Sequence, residues 1–246
     1  MKKAFVAALM IVLTAAPSTA KTTIDIPGGY SQSEFRDLST ELGLAVSYVP
    51  LAPAEPLGGL LPGLDAGIEL TTAKISKDAK FWSDVVQGSL PAYLPFYKVH
   101  IQAGFPGVPL DLGFVYSQVP NTDIKLLGGE IKYAILKGGV FRPAVSVRGA
   151  YTRLSGVDVI DISTRSLDLS ISKRILMVTP YAGVGLIWIS STPEPAVAGL
   201  TLSKENITET KSFIGFKFSF LPVLNMTAEA DFAKVKAYSV RLNLHF

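Results

Sequence analysis

The chain has 246 residues, 48% of them hydrophobic and 17% charged, with a formal net charge of +3 and a mean hydropathy of +0.36. It contains no cysteine, which excludes a disulfide framework and a thiolate metal site. The weak positive balance argues against a dedicated nucleic-acid binder, the more so because two of the lysines fall in the first segment.

That segment reads as a secretory signal peptide. Lys2 and Lys3 precede an apolar run from Ala4 to Ala16, and Ser18-Thr19-Ala20 supplies small residues for cleavage after Ala20. The run is shorter than the ~20 residues of a spanning helix, and Pro17 ends it. Removing residues 1 to 20 takes away two lysines and no acids, so the charge falls from +3 to +1. No later stretch is long and apolar enough for an inner-membrane helix. High hydropathy in an exported chain without such a helix is expected of a barrel, whose apolar residues stand at alternate positions rather than in runs.

Residues 21 to 62 differ from the rest. Ser31 with Glu34 makes a capping box, Phe35, Leu38 and Leu42 fall at helical spacing, and Gly43 is placed to close the helix, so a helix is expected at about 32 to 42. The following PLAPAEPLGGLLPG excludes regular structure. Three turns are marginal alone, so the helix should dock, either in the barrel interior or at its periplasmic mouth, or else form an ordered periplasmic appendage. A domain division of 1–20, 21–62 and 63–246 follows, with 21–62 a possible plug.

From there the apolar residues repeat every second position. Strands are expected at about 64–75, 94–103, 109–117, 124–136, 144–153, 164–173, 179–189, 213–220, 224–232 and 238–246, each flanked by Gly, Pro, Asn, Asp or Ser. The preceding VDVIDIS either extends or replaces 164–173, and Pro180 limits the start of its neighbour. Ten strands give an all-β, antiparallel up-and-down transmembrane barrel with a short N-terminal helix. Connections at 104–108, 137–143, 174–178 and 221–223 are short, as periplasmic turns are; 76–93, 154–163 and 190–210 are longer, as outer loops are, while 118–123 and 233–237 are short outer connections. Both chain ends are then expected in the periplasm. A soluble sandwich would share the alternation but not the sidedness. Tyr93, Tyr97, Tyr116, Tyr133, Tyr151, Trp188 and Tyr238 fall on the outward parity, where interfacial girdles lie.

The same parity turns Asp65, Glu69, Lys98, His100, Asp111, Glu130, Lys132, Arg148, Asp168, Lys217, Glu229, Asp231 and Arg241 inward. Mixed signs on adjacent strands should pair, for example Glu229 with Lys217 or Arg241, giving a packed interior rather than an open pore. Only two histidines exist, His100 and His245, and neither has a Ser or Asp partner at a signature spacing, so no enzyme is expected. Metal-ligand spacings and phosphate-cradling loops are absent, and no cofactor is expected.

The final strand, YSVRLNLHF, sets Tyr238, Val240, Leu242, Leu244 and Phe246 on one face. Ending on an aromatic, it resembles the C-terminal targeting signal of bacterial outer-membrane barrels. With the helix, LAPAEPLG and the strand opening GLDAGIEL, the chain resembles small Gram-negative outer-membrane barrel proteins of a poorly characterised family. Its N-terminal element is also loosely similar to the hatch of fatty-acid-type transporters, which have more strands and far longer chains, and no functional residue is carried over from them. The resemblance implies an outer-membrane location, with outer-membrane lipid and, during biogenesis, the barrel-assembly machinery as partners. Two functions stay open: a gated or plugged conduit for a small, even hydrophobic, molecule of unknown identity, or a non-transporting envelope protein whose outer loops bind a partner or surface. A lipid-modifying enzyme is a distant third. Phe81, Trp82, Val85 and Val86 in the 76–93 loop suit either a cover for the barrel mouth or a contact with lipid or ligand.

Overall fold

The computed structural model describes residues 23–87, 90–119, 122–194, 202–221 and 223–246, so the expected signal peptide lies outside the described residues. In chain order the elements are β1 (Thr23–Ile24), α1 (Gln32–Ala45), β2 (Gly63–Lys74), α2 (Lys80–Ser83), β3 (Val86–Gln87), β4 (Tyr93–Gly104), β5 (Leu110–Gln118), β6 (Lys125–Lys137), β7 (Ala144–Ser155), β8 (Ile160–Ser172), β9 (Val178–Pro193), β10 (Glu205–Ser219), β11 (Leu224–Phe232) and β12 (Lys236–His245). β2 and β4 to β12 form a closed ten-stranded antiparallel barrel in which sequence neighbours pair and β12 returns to β2. The seam runs from Lys236 opposite Lys74 to His245 opposite Asp65. Phe246 seals it, exchanging backbone hydrogen bonds with Leu64 at 2.8 and 2.9 Å.

Alternation decides the two faces. Outward positions carry Val99, Ile101, Ile131, Leu167, Leu169, Ile214 and Val240, all exposed, while the inward neighbours Glu69, Lys98, Glu130, Arg148, Asp168 and Arg241 are buried. A water-soluble barrel would have the opposite arrangement. Of the outward aromatics, Tyr93, Tyr97, Tyr116, Tyr151, Trp188 and Tyr238 lie in the halves of their strands nearer the connections 75–92 and 194–204 (the loop end). Tyr133 lies nearer the other end, where the turns expose Phe105, Phe141 and Phe220 beside the terminal Phe246 (the C-terminal end). Two aromatic belts thus bound an apolar band.

Three expectations need correction. β8 begins at Ile160 and β9 and β10 reach Pro193 and Glu205, so the loops expected at 154–163 and 190–210 shrink to 156–159 and 194–204, with 195–201 outside the described residues. The cause is a change in what faces inward: near the loop end Ile160, Ile162, Ile187, Ile189 and Ile207 point into the barrel, against Phe35, Leu38 and Leu42 of α1. An assumption of polar-in, apolar-out misses strands where the lumen holds a hydrophobic guest. α1 continues past Gly43 to Ala45, capped by Val46. Gly43 has a different reason to be small, since a side chain there would collide with Ile189 on the barrel wall. Lastly, the barrel begins and finishes at the C-terminal end, but β1 lies at the loop end, paired with β3 through Thr23 opposite Gln87 and Ile24 opposite Val86.

Candidate functional site

The chain reaches the loop end because it threads the barrel. α1 enters the loop-end mouth with its capping box formed, Glu34 N donating to Ser31 Oγ at 3.3 Å and Ser31 N to Glu34 Oε2 at 2.8 Å. Lys80, which hydrogen-bonds the Glu34 carboxylate at 2.6 Å, together with the Ser31 donors, holds that carboxyl down at about 2. Residues 80–86 close over the helix: Trp82, Val85 and Val86 are buried, and Trp82 Nε1 donates to Glu41 Oε2 at 2.7 Å. Those apolar loop residues therefore cover the mouth. Ser39 Oγ bonds Ser191 Oγ at 2.8 Å, and Arg36 pairs with Glu205 at 2.7 Å, pinning the helix to β9 and β10.

Beyond Val46 the chain runs extended and irregular down the lumen. Pro50, Pro53 and Pro56 prevent helix or strand, so the backbone polar groups of this buried stretch need partners from elsewhere. The inward side chains supply them. Thr152 donates to Val46 O at 2.9 Å, Lys211 to Tyr48 O at 3.3 Å, Arg148 to Ala52 O at 3.4 Å, and Lys132 to Pro53 O at 3.1 Å and Glu55 O at 2.8 Å. In return Glu229 accepts from Leu51 N at 3.1 Å, Ser172 Oγ from Ala54 N at 3.1 Å, and both Asp111 oxygens from Leu57 N at 3.0 Å. Leu51 has φ +43°, a left-handed conformation that costs roughly 1–2 kcal/mol in a non-glycine residue and that the Glu229 bond helps to hold. Val46, Tyr48, Leu51, Ala52 and Ala54 are buried in the process.

The inward residues also bind one another. Glu69 takes Lys98 at 2.7 Å and His100 Nδ1 at 3.1 Å, Asp111 pairs with Lys132 at 2.8 Å, Glu130 with Arg148 at 2.6 Å, and Asp168 with Lys211 at 3.2 Å. His100 Nε2 lies 2.9 Å from the Tyr48 hydroxyl, so Tyr48 donates to Nε2 while Nδ1–H donates to Glu69. This hydroxyl–imidazole–carboxylate chain is fully buried and latches the threaded segment to the wall. His245 stands half-buried at the C-terminal mouth. Among the described residues no group of three or more His, Asp or Glu is arranged to hold a metal ion.

No family model matches this sequence, and no curated protein matches it. Solved structures similar to it include the N-terminal β-barrel domain of Pseudomonas aeruginosa OprF, at 15% identity over 74% of this chain and 97% of that one, with a TM-score of 0.38. The β domain of the Bordetella autotransporter BrkA shares 11% identity over 75% and 99%, TM-score 0.39, and Neisserial surface protein A 11% over 75% and 95%, TM-score 0.34.

All the inward residues expected from parity face the lumen, with Lys217 partly exposed. Their pairing differs at Glu229, and Asp231 and Lys217 form no ion pair among the described residues. Glu229 binds neither Lys217 nor Arg241; it accepts from Tyr181 Oη at 2.7 Å. The register puts Gly215 between Tyr181 and Glu229, and without a Cβ there the phenol lies across the intervening strand. Gly185 similarly separates Asp168 from Lys211, and Gly113 separates Gln102 from Glu130, which bond at 2.7 Å. Lys211, Tyr48, Tyr181 and Thr152 escaped sequence reasoning. The available signal was the set of inward glycines, each marking a strand that a long side chain can cross. Of the residues expected to form the assembly signal, Tyr238, Val240, Leu242 and Leu244 line the outer face of β12, and Phe246 follows it.

Proposed function

We propose that the protein is an exported outer-membrane β-barrel of a Gram-negative envelope, a gated conduit for a small polar solute, closed in this state by its own residues 32–57. The observation that carries this reading is where the wall charges find their partners. A barrel sealed for good can fill its bore with wall side chains; here Lys132, Arg148, Lys211, Asp111 and Glu229 also engage the backbone of a segment that forms no part of the barrel sheet. Withdrawal of that segment leaves an intact ring of strands whose bore is lined by charges below an apolar collar at the loop-end mouth. The charged wall favours a polar cargo over a hydrophobic one.

The absence of native cysteine allows a direct test. Ser39 and Ser191 touch, so the double variant Ser39→Cys, Ser191→Cys locks α1 to β9 when oxidised. In planar bilayers the reduced protein is expected to show opening events that oxidation abolishes. Heat-modifiable migration of the same sample shows that the barrel is folded. Baseline conductance in both redox states would contradict the conduit and favour a non-transporting envelope protein.

A further inference from the structure

At the C-terminal end the threaded segment leaves along β4 and β5, with Leu57 N on Asp111 and Gly107 N donating to Gly59 O at 2.9 Å. The wall formed by β10, β11 and β12 at the same end carries Lys217, Thr227 and Arg241 side by side in one register row, with Asn225 opposite Asn243 two positions nearer the mouth. Neighbouring side chains in such rows lie about 5 Å apart at Cβ, so these groups form one patch.

Their hydrogen bonding is incomplete, and the missing partners are mostly acceptors. Arg241 stands opposite Glu69, but Lys98 and His100 already occupy that carboxylate. Arg241 turns its Nη2 to Gln102 Oε1 at 3.3 Å and to Asp65 at 3.5 Å, leaving Nε and Nη1 buried without a partner. Ser219 donates to Asn225 Oδ1 at 2.7 Å, which turns the Asn225 amide so that Nδ2 faces inward unpaired; Thr227 Oγ1 is unpaired as well. Lys217 has no ion-pair partner among the described residues; of the charges that act on it, Arg174 is paired with Glu55 and Lys132 with Asp111, so Lys217 and Arg241 share the single carboxylate of Asp65 and one positive charge is left over. The nearby acceptors without a hydrogen bond are Asn243 Oδ1 and His245 Nδ1, while Asp65 Oδ1 has only its 3.5 Å contact with Arg241. Asp65 also accepts from Asn243 Nδ2, and so is engaged on both sides.

Buried donors are seldom left unpaired, and those on cations least of all. One oxyanion accepts from several at once and neutralises the excess positive charge. We propose that this corner of the lumen binds a small oxyanion, a carboxylate or a phosphate, between Lys217, Arg241, Asn225 and Thr227. Lys217 and His245 are partly exposed, so the site is open to the C-terminal mouth while the segment occupies the bore. The inference deepens the conduit reading by naming an anionic cargo class, but the site itself stands whether or not the barrel opens.

The test is made at equilibrium on the full chain in detergent, comparing sodium phosphate, sodium acetate and sodium chloride at equal ionic strength and pH 7. Binding to the folded form raises the temperature at which compact migration is lost. Phosphate, acetate or both are expected to give a saturable rise, and the effective one identifies the headgroup class. Lys217→Gln should shift the half-saturating concentration upward by about tenfold, the worth of one charge-assisted hydrogen bond. Thr227→Val should also shift it upward, and Lys234→Gln at the loop end should leave it unchanged. If neither oxyanion gives a saturable rise in the parent, or if Lys217→Gln and Thr227→Val both match the parent, the site is refuted. Neither result involves conductance, so failure here and failure of the conduit reading are distinguishable.

Discussion

Tyr48 is the side chain through which the threaded segment and the charged wall are joined most specifically. Its hydroxyl is the Nε2 partner of a histidine with no exposure to solvent, and His100 in turn serves Glu69. Tyr48→Phe removes the donor while keeping the ring, so it leaves Nε2 buried and unpaired at a cost of ~1–3 kcal/mol. The expected outcome is a lower temperature for loss of compact migration, with the barrel still formed; an unchanged temperature would show that the latch contributes nothing. Parity alone turned Glu69, His100 and the other charges inward. It could not name their partners, because Tyr48 arrives from a segment without periodicity and Tyr181 reaches Glu229 only across a glycine in the strand between. A register is needed to see either.

Among the elements, β12 closes the ring, pairing with β2 along its whole length from Lys236 to His245. Its last contribution comes from Phe246, whose backbone exchanges two hydrogen bonds with Leu64 at the start of β2. Deleting Phe246 removes both, along with the terminal aromatic of the expected targeting pattern, whereas His245→Gln alters a side chain that has no hydrogen bond through Nδ1. The yield of heat-modifiable barrel should therefore fall in the deletion and stay near the parent level in His245→Gln. Equal yields would remove Phe246 from both closure and targeting. The strands were legible wherever the lumen is polar, and their ends were lost where it is not. β8, β9 and β10 turn isoleucines inward to meet α1, which reverses the hydrophobic alternation while keeping its period. The capping box fixed the start of α1 in sequence and in structure alike. Its end was misplaced because Gly43 is small for the sake of Ile189 rather than for a left-handed turn.

For the whole molecule, the course of the chain through the ring distinguishes this account from any in which the N-terminal region hangs below an ordinary barrel. Residues 25 and 60 stand at opposite ends: Asp25 is exposed beside the 75–92 loop, its amide donating to Val85 O at 2.8 Å, and Leu60 is 98% exposed below the turn that precedes β2. Only 35 positions separate them, with α1 and the Pro-rich stretch in between. Because the chain has no cysteine, single variants can be labelled without background. The decisive measurement is reaction of Asp25→Cys and Leu60→Cys with a membrane-impermeant maleimide in intact cells and after the outer membrane is permeabilised. Threading through an outer-membrane barrel predicts that Asp25→Cys reacts in intact cells and Leu60→Cys only after permeabilisation. Protection of both until permeabilisation would place the N-terminal region on the periplasmic side and contradict the threaded lumen.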